Sequence, residues 1–240
     1  MCGHCEDKQI DRRRLLTLAG LGLAAAGLGL DISPARAAEG SKTSLTPGQA
    51  LEALKAGNAR YVSNPQVCVM DLAKRRGELA AHQAPWAIIV GCSDSRVPPE
   101  LLFGGLGLGE LFVARNAGNM VDTATMGTIE YGAEHLGAPL IVVLGHEKCG
   151  AVSAACDVVA KKATFQGSIG PMVEPIVPAA TAMHGKPGDF VDNTVRESAK
   201  RTAARLATAS PILSLLVKDK KLEIVAARYD LDDGKVEYLT

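Results

Sequence analysis

Two cysteines and a histidine stand where two sulfurs and an imidazole could meet on one ion. Cys92 follows the apolar run Trp86–Val90 and a glycine, Gly91; His146 follows the run Leu140–Leu144 and Gly145, and Cys149 comes three residues after it. Zinc favours sulfur and imidazole donors, and a catalytic zinc site uses three protein ligands and leaves a fourth position open. Alone, His146-x-x-Cys149 carries little weight, because Cys149 also fits a small buried apolar residue and His146 a satisfied core histidine. Cys92 at a strand end, with Asp94 and Arg96 beside it, turns the balance toward a zinc site of Cys92, His146 and Cys149.

These groups converge only if the two apolar runs are neighbouring strands. Short apolar runs closed by glycine and followed by a helical pattern are typical of buried parallel strands. In open parallel sheets, function collects outside the carboxyl ends of such strands, which is where Cys92 and His146 fall. Thr46-Pro47 followed by apolar residues at spacings of three and four predicts a helix. Further helices are expected at about 71–82, 124–136, 151–161 and 192–206, and another strand at 111–114. The segments 222–228 and 235–239 flank Asp232-Asp233-Gly234 and read as a hairpin. The expected fold class is α/β: a mostly parallel β-sheet with an antiparallel edge strand, flanked by helices. The alternating glycines 105, 107 and 109 brush against a dinucleotide fingerprint, but a strand pattern follows where a phosphate-binding helix would begin.

Several stretches together resemble the β-class carbonic anhydrases: Cys92-x-Asp-x-Arg-Val-Pro-Pro-Glu100, Gly109-Glu-Leu-Phe-Val-Ala-Arg-Asn-Ala-Gly-Asn119, Ile129-Glu-Tyr131 and Gly145-His-Glu-Lys-Cys-Gly150. The resemblance runs from about Leu45 to Thr240, and one departure is a loop, Phe103–Glu110, that is one residue longer than usual. It implies a zinc enzyme, with one Zn2+ per subunit, that reversibly hydrates carbon dioxide to bicarbonate and a proton by attack of zinc hydroxide. It also implies that Gln83 and the Gly150 amide act as donors to the substrate, and that Phe112, Ala117 and Tyr131 border an apolar pocket. For Phe112 and Tyr131, plain core packing is the competing reading. Members closed by bicarbonate at a regulatory site carry tryptophan three residues before the first ligand; Ile89 stands there, which favours the open, unregulated form. The amino-terminal helix is expected to lie across a neighbouring subunit in a homodimer or higher even-numbered homo-oligomer.

Within that reading Asp94 and Arg96 carry the catalytic roles. Asp94 accepts a hydrogen bond from the attacking water and aims it, while Arg96 pairs with Asp94 in a bidentate fork and holds it off the metal. Released, Asp94 becomes a fourth ligand and closes the site; an ordinary ion pair or a turn cap is the plainer alternative. Two thiolates cancel the charge of the ion, so water there should lose its proton less readily than at a three-histidine site, and activity should rise into the alkaline range. Ser93 has no partnered base and reads as a turn residue. Rival readings are a hydrolase of carbon disulfide or carbonyl sulfide on the same fold, a noncatalytic zinc- or bicarbonate-binding module, and a redox protein using Cys92 and Cys149.

The first 37 residues differ from the rest. Arg12-Arg13-Arg14 precedes a mildly apolar stretch, Leu15–Leu30, and Ala35-Arg36-Ala37 offers a small-x-small cleavage signal, a pattern of the twin-arginine type. The expectation is a signal peptide at 1–37, a single catalytic domain at 38–240, and a periplasmic or exported protein. The alternative is a membrane anchor, although about 16 apolar residues fall short of the ~20 that span a bilayer. The chain has 240 residues, 47% hydrophobic, with 26 Lys plus Arg against 26 Asp plus Glu. That balance makes no case for nucleic acid or an anionic membrane as partner. Cys2 and Cys5 fall in the segment expected to be discarded, and Cys68 and Cys156 show no disulfide spacing. His82, His135 and His184 read as ordinary surface or core histidines.

Overall fold

A computed structural model describes residues 42–65 and 72–239. The segment 1–37 expected to be a signal peptide, with Cys2 and Cys5, lies outside the described residues, as does Cys68. Helix α1 spans Pro47–Ser63, α2 Leu72–Leu79, and strand β1 Ala87–Cys92. Then come α3 (Pro99–Leu102), β2 (Leu111–Asn116), α4 (Thr123–Glu130), β3 (Leu140–His146) and α5 (Gly150–Lys161). The carboxyl-terminal part holds α6 (Ile169–Val173), α7 (Val177–Met183), α8 (Phe190–Ala209), α9 (Pro211–Lys218), β4 (Glu223–Tyr229) and β5 (Val236–Leu239).

The strands form one sheet in the order β2-β1-β3-β4-β5. The first four run parallel, and β5 turns back antiparallel on β4 at the edge. From β1 the chain crosses to one side to make β2, and from β2 it crosses back past β1 to make β3 on the other side. The carboxyl ends of β1 and β3 therefore flank the point where the winding direction switches, and there the connecting loops part to leave a crevice.

Alternation along the strands feeds two cores. Ile88, Val90, Ile141 and Val143 pack with Ala199, Leu206 and Leu213 from α8 and α9. Ala87, Ile89, Val142 and Leu144 pack on the opposite face with Ala50 and Leu54 of α1. Helix α1 starts where the sequence marks it, since Thr46 and Gln49 form a reciprocal capping box with Pro47 in the first turn. Near its middle, Gly57 lies against the Phe103–Gly104 backbone so closely that a Cβ there would collide with the Phe103 carbonyl. The loop 103–110 is thus seated on α1.

Two expectations need amending. The helix foreseen at 124–136 is α-helical only to Glu130, and residues Tyr131–His135 continue as one π-helical turn. Spacing in the sequence does not reveal a one-residue change of winding. Helices α3, α6 and α7 were not foreseen, because each is too short for an apolar period to repeat; α9 was not foreseen either.

Candidate metal centre

Strand β1 delivers Cys92 as its last residue and β3 delivers His146 as its last, two strands that are hydrogen-bonded neighbours. After His146 the chain must turn at once to place Cys149. Lys148 makes that turn in the left-handed region, at φ 53°, and Cys149 becomes the residue that caps α5. All three groups are buried, and their ligand atoms lie within 4.8 Å of one another. The two sulfurs are 4.0 Å apart and unbridged. A tetrahedral ion with metal–sulfur bonds of about 2.3 Å spaces its sulfurs by about 3.8 Å, close to this separation.

The histidine is prepared in the same sense. His146 Nδ1 sits 2.8 Å from the Glu147 carbonyl oxygen, which only accepts, so the proton belongs on Nδ1 and Nε2 is left with its lone pair. Nε2 is buried without a hydrogen-bond partner. Such an orphan costs about 1–3 kcal/mol unless a cation takes its lone pair. The two sulfurs are within hydrogen-bonding distance of each other, and either can donate. Cys92 is pushed well down toward thiolate, chiefly by the Cys149 thiol; burial opposes this, while His146 and the amides of Gly118 and Asp94 add to it. Cys149 is pushed up, chiefly by its hydrogen bond with Cys92, and also by burial. A metal ion bound by both sulfurs would take the place of that hydrogen bond. Donor types, spacing and the orphaned Nε2 all suit zinc.

Asp94 stands beside this group with its Oδ2 3.9 Å from His146 Nε2. Arg96 grips it from the other side: Nε meets Oδ1 at 2.9 Å, Nη2 meets Oδ2 at 2.7 Å, and the Arg96 amide also donates to Oδ1. The fork holds the carboxyl far below its usual range; partial burial opposes this, and the amide adds to it. Asp94 is therefore a carboxylate at every ordinary pH, held next to the three ligands without being one.

The remaining residues named from the sequence divide by position. Ala117 directly follows β2, whose last residue Asn116 is level with Cys92, and Gly150 follows Cys149 at the start of α5; both are exposed near the centre. Phe112 is level with Ile88, four residues before Cys92, which puts it about 13 Å down the strand at ~3.3 Å per residue. Tyr131 lies tilted against it with ring centroids 6.2 Å apart, and Gln83 is exposed ahead of β1. One chain does not bring Gln83, Phe112 and Tyr131 to its own ligands. His135 lies 5.2 Å from the Tyr131 ring, whereas His82 and His184 have no part in the metal group. Cys156 is buried deeper in α5 and donates to Thr194.

Two residues near the centre carry contacts that the sequence did not advertise. Gly118, at φ 81°, turns its amide onto Cys92 Sγ at 3.4 Å. A Cβ at that position would strike Ile176 and Ala151. Arg115 reaches from β2 to the carbonyls of Cys92 and Asp94. A strand-end arginine followed by Asn-Ala-Gly-Asn was the available signal, but its targets are main-chain atoms.

Comparison with known proteins agrees with this geometry. Residues 87–236 match the family described as carbonic anhydrase. Carbonic anhydrase 2 of Mycobacterium tuberculosis is 39% identical over 189 residues, covering 79% of this chain and 91% of that protein. Carbonic anhydrase of Mycolicibacterium smegmatis is 37% identical over 191 residues, covering 80% and 92%. Among solved structures, a β-carbonic anhydrase of Sordaria macrospora, one of two described as tetrameric, superposes with a TM-score of 0.62 at 25% identity, covering 79% of this chain and 95% of that one. The Coccomyxa β-carbonic anhydrase superposes at 0.60 and 25% identity, covering 82% and 87%. With a family match across most of the described sheet, and relatives this similar over about nine-tenths of their length, the chain belongs to the β-class carbonic anhydrases.

Proposed function

We propose that this chain hydrates carbon dioxide reversibly to bicarbonate and a proton, with one zinc ion held by Cys92, His146 and Cys149. The observation that carries this reading is the buried trio with an orphaned imidazole nitrogen, beside a carboxylate that is locked ionised but kept off the trio. Zinc, when bound, supplies a Lewis acid that makes water a nucleophile near neutral pH. The residues of the chain do the rest. Asp94 accepts a hydrogen bond from the attacking water and aims it, and Arg96 keeps Asp94 in that role by occupying both of its oxygens. Carbon dioxide is uncharged and nearly apolar, so it needs a dry wall and few donors; Ala117 and the Gly150 amide are placed for this.

Gln83, Phe112 and Tyr131 fit the same reaction only through a second copy of the chain, because they sit at the far end of their own sheet and are wholly or partly exposed there. This supports a homodimer or a higher even-numbered assembly, and the tetrameric relatives support an oligomer as well. The Arg12–Arg14 cluster and Ala35-Arg36-Ala37 support export through a twin-arginine route to the periplasm, which would let the two cysteines bind zinc before meeting an oxidising compartment. A soluble periplasmic form beginning near Ala38 is expected on fractionation and amino-terminal sequencing; a full-length membrane-bound product defeats the export reading.

The deciding experiment for the activity is metal analysis combined with stopped-flow carbon dioxide hydration. Replacing Cys92, His146 or Cys149 with alanine should remove zinc and turnover together. A variant that keeps full zinc and full turnover takes that residue out of the ligand set.

A further inference from the structure

Arg115 is the fifth residue of β2, an exposed side chain next to Asn116. Among the described residues no carboxylate forms an ion pair with it; its guanidinium is committed instead to main chain. Nε donates to the Cys92 carbonyl and Nη2 to the Asp94 carbonyl, each at 2.7 Å. These two carbonyls bracket the short segment that carries both the first ligand and the carboxylate beside the metal position. Two more main-chain bonds finish the frame: the Ser93 amide donates to the Asn116 carbonyl, and the Val97 amide to the Asp94 carbonyl.

What this frame resists is a small movement. Asp94 Oδ2 is already 3.9 Å from His146 Nε2, so a modest shift of residue 94 would carry a carboxylate oxygen into the fourth position around the ligands. The side chain of Arg96, which opposes that shift, is 51% exposed. An ion pair so open to water is weak and screened by salt. A guanidinium fork on two carbonyls does not depend on the charge of Asp94, and it is mounted on a neighbouring strand rather than on the turn itself.

Resting on the zinc reading above, we propose that Arg115 is a positioning residue that latches the Cys92–Arg96 segment, so that Asp94 stays on Arg96 and the fourth metal position stays open. Loss of the fork lets Asp94 compete for that position with any outside ligand. Replacement by lysine, which keeps a charge but not the two-carbonyl fork, gives a partial loss.

The test uses the full-length, cobalt-substituted protein and titrates azide into it, reading the visible spectrum of the metal at pH 7. R115M, which keeps an apolar stem, should bind azide at least tenfold more weakly than the starting protein, and R115K should fall between them. The double variant R115M/D94N has no carboxylate to compete, so its azide affinity should return to that of D94N alone. Azide binding by R115M equal to the starting protein overturns the latch. So does weak binding that persists in R115M/D94N, because general damage to the site would not be cured by removing Asp94. If R115M does not fold, R115K against R115K/D94N decides the matter by the same comparison. Failure of the unaltered protein to take up one metal per chain overturns instead the zinc reading on which the latch depends.

Discussion

At the centre, His146, Cys92 and Asp94 are each set by a neighbour. The Glu147 carbonyl accepts from His146 Nδ1, the Gly118 amide points at Cys92, and Arg96 holds Asp94 off the three ligands. These supports differ in what their loss should do. D94N keeps the three ligands but offers an amide where the acceptor stood, so zinc should remain at one per chain while hydration falls by about 10- to 100-fold. Unchanged stopped-flow rates in a zinc-loaded D94N protein would remove Asp94 from the reaction. The ligands were legible in the sequence because Cys92 and His146 each close an apolar run ended by glycine, a pattern that betrays a strand end. Arg115 and Gly118 were not, since one acts on carbonyl oxygens and the other through its own amide, and no residue-type pattern marks such partners. Phe112 and Tyr131 were legible as aromatic residues of a known motif, yet sequence distance concealed that they belong to the opposite end of the sheet from the ligands of their own chain.

Among the elements, strands and long helices were readable and short helices were not. Strand β3 is buried throughout and shows as an unbroken apolar run, and α8 shows its period over twenty residues. Five residues of α6 cannot repeat a period of 3.6 often enough to be recognised. The contact of α1 with the loop 103–110 was equally invisible, because it depends on an absent side chain. Placing one there by G57A should cost about 1–3 kcal/mol through overpacking, read as a lower urea midpoint at constant slope. A G57A midpoint equal to that of the parent would show that the loop yields freely. At the other end, Arg228 of β4 bridges Asp192 of α8 and Asp230 of the hairpin, while Arg196 ties Asp192 to Glu237 of β5. Arg228 holds Asp230 down at about 2, with partial burial opposing and the amides of Asp232 and Asp233 assisting. The folded value lies below the ordinary carboxylate value of about 3.9, so this stabilisation is present above pH ~4 and is lost as pH falls toward 2. D230N should therefore narrow its stability gap to the parent between pH 5 and 3, measured by urea denaturation. A gap that widens on acidification contradicts the sign.

For the molecule as a whole, an ion held by Cys92, His146 and Cys149 would be a structural component as well as a reagent. Without it the buried imidazole nitrogen has no partner, and the two sulfurs are left 4.0 Å apart. Binding to the folded form alone adds stability by mass action, so chelation should lower the unfolding temperature by at least about 5 °C. Identical calorimetric transitions with and without chelator would argue against the centre being metal-loaded in the native state. One further consequence follows from the order β2-β1-β3. Cys92 and Cys149 are 57 residues apart along the chain, yet the strands that lead to them, β1 and β3, are immediate neighbours. Before those strands pair, a nascent chain can offer only the local His146 and Cys149, too few donors to retain zinc against a competing chelator. Closing that long parallel crossover is among the slower acts of folding. Resistance of zinc to a colorimetric chelator during refolding should therefore appear together with β1–β3 pairing and no earlier. The metal would then serve as a clock, recording the moment at which the middle of the sheet has closed.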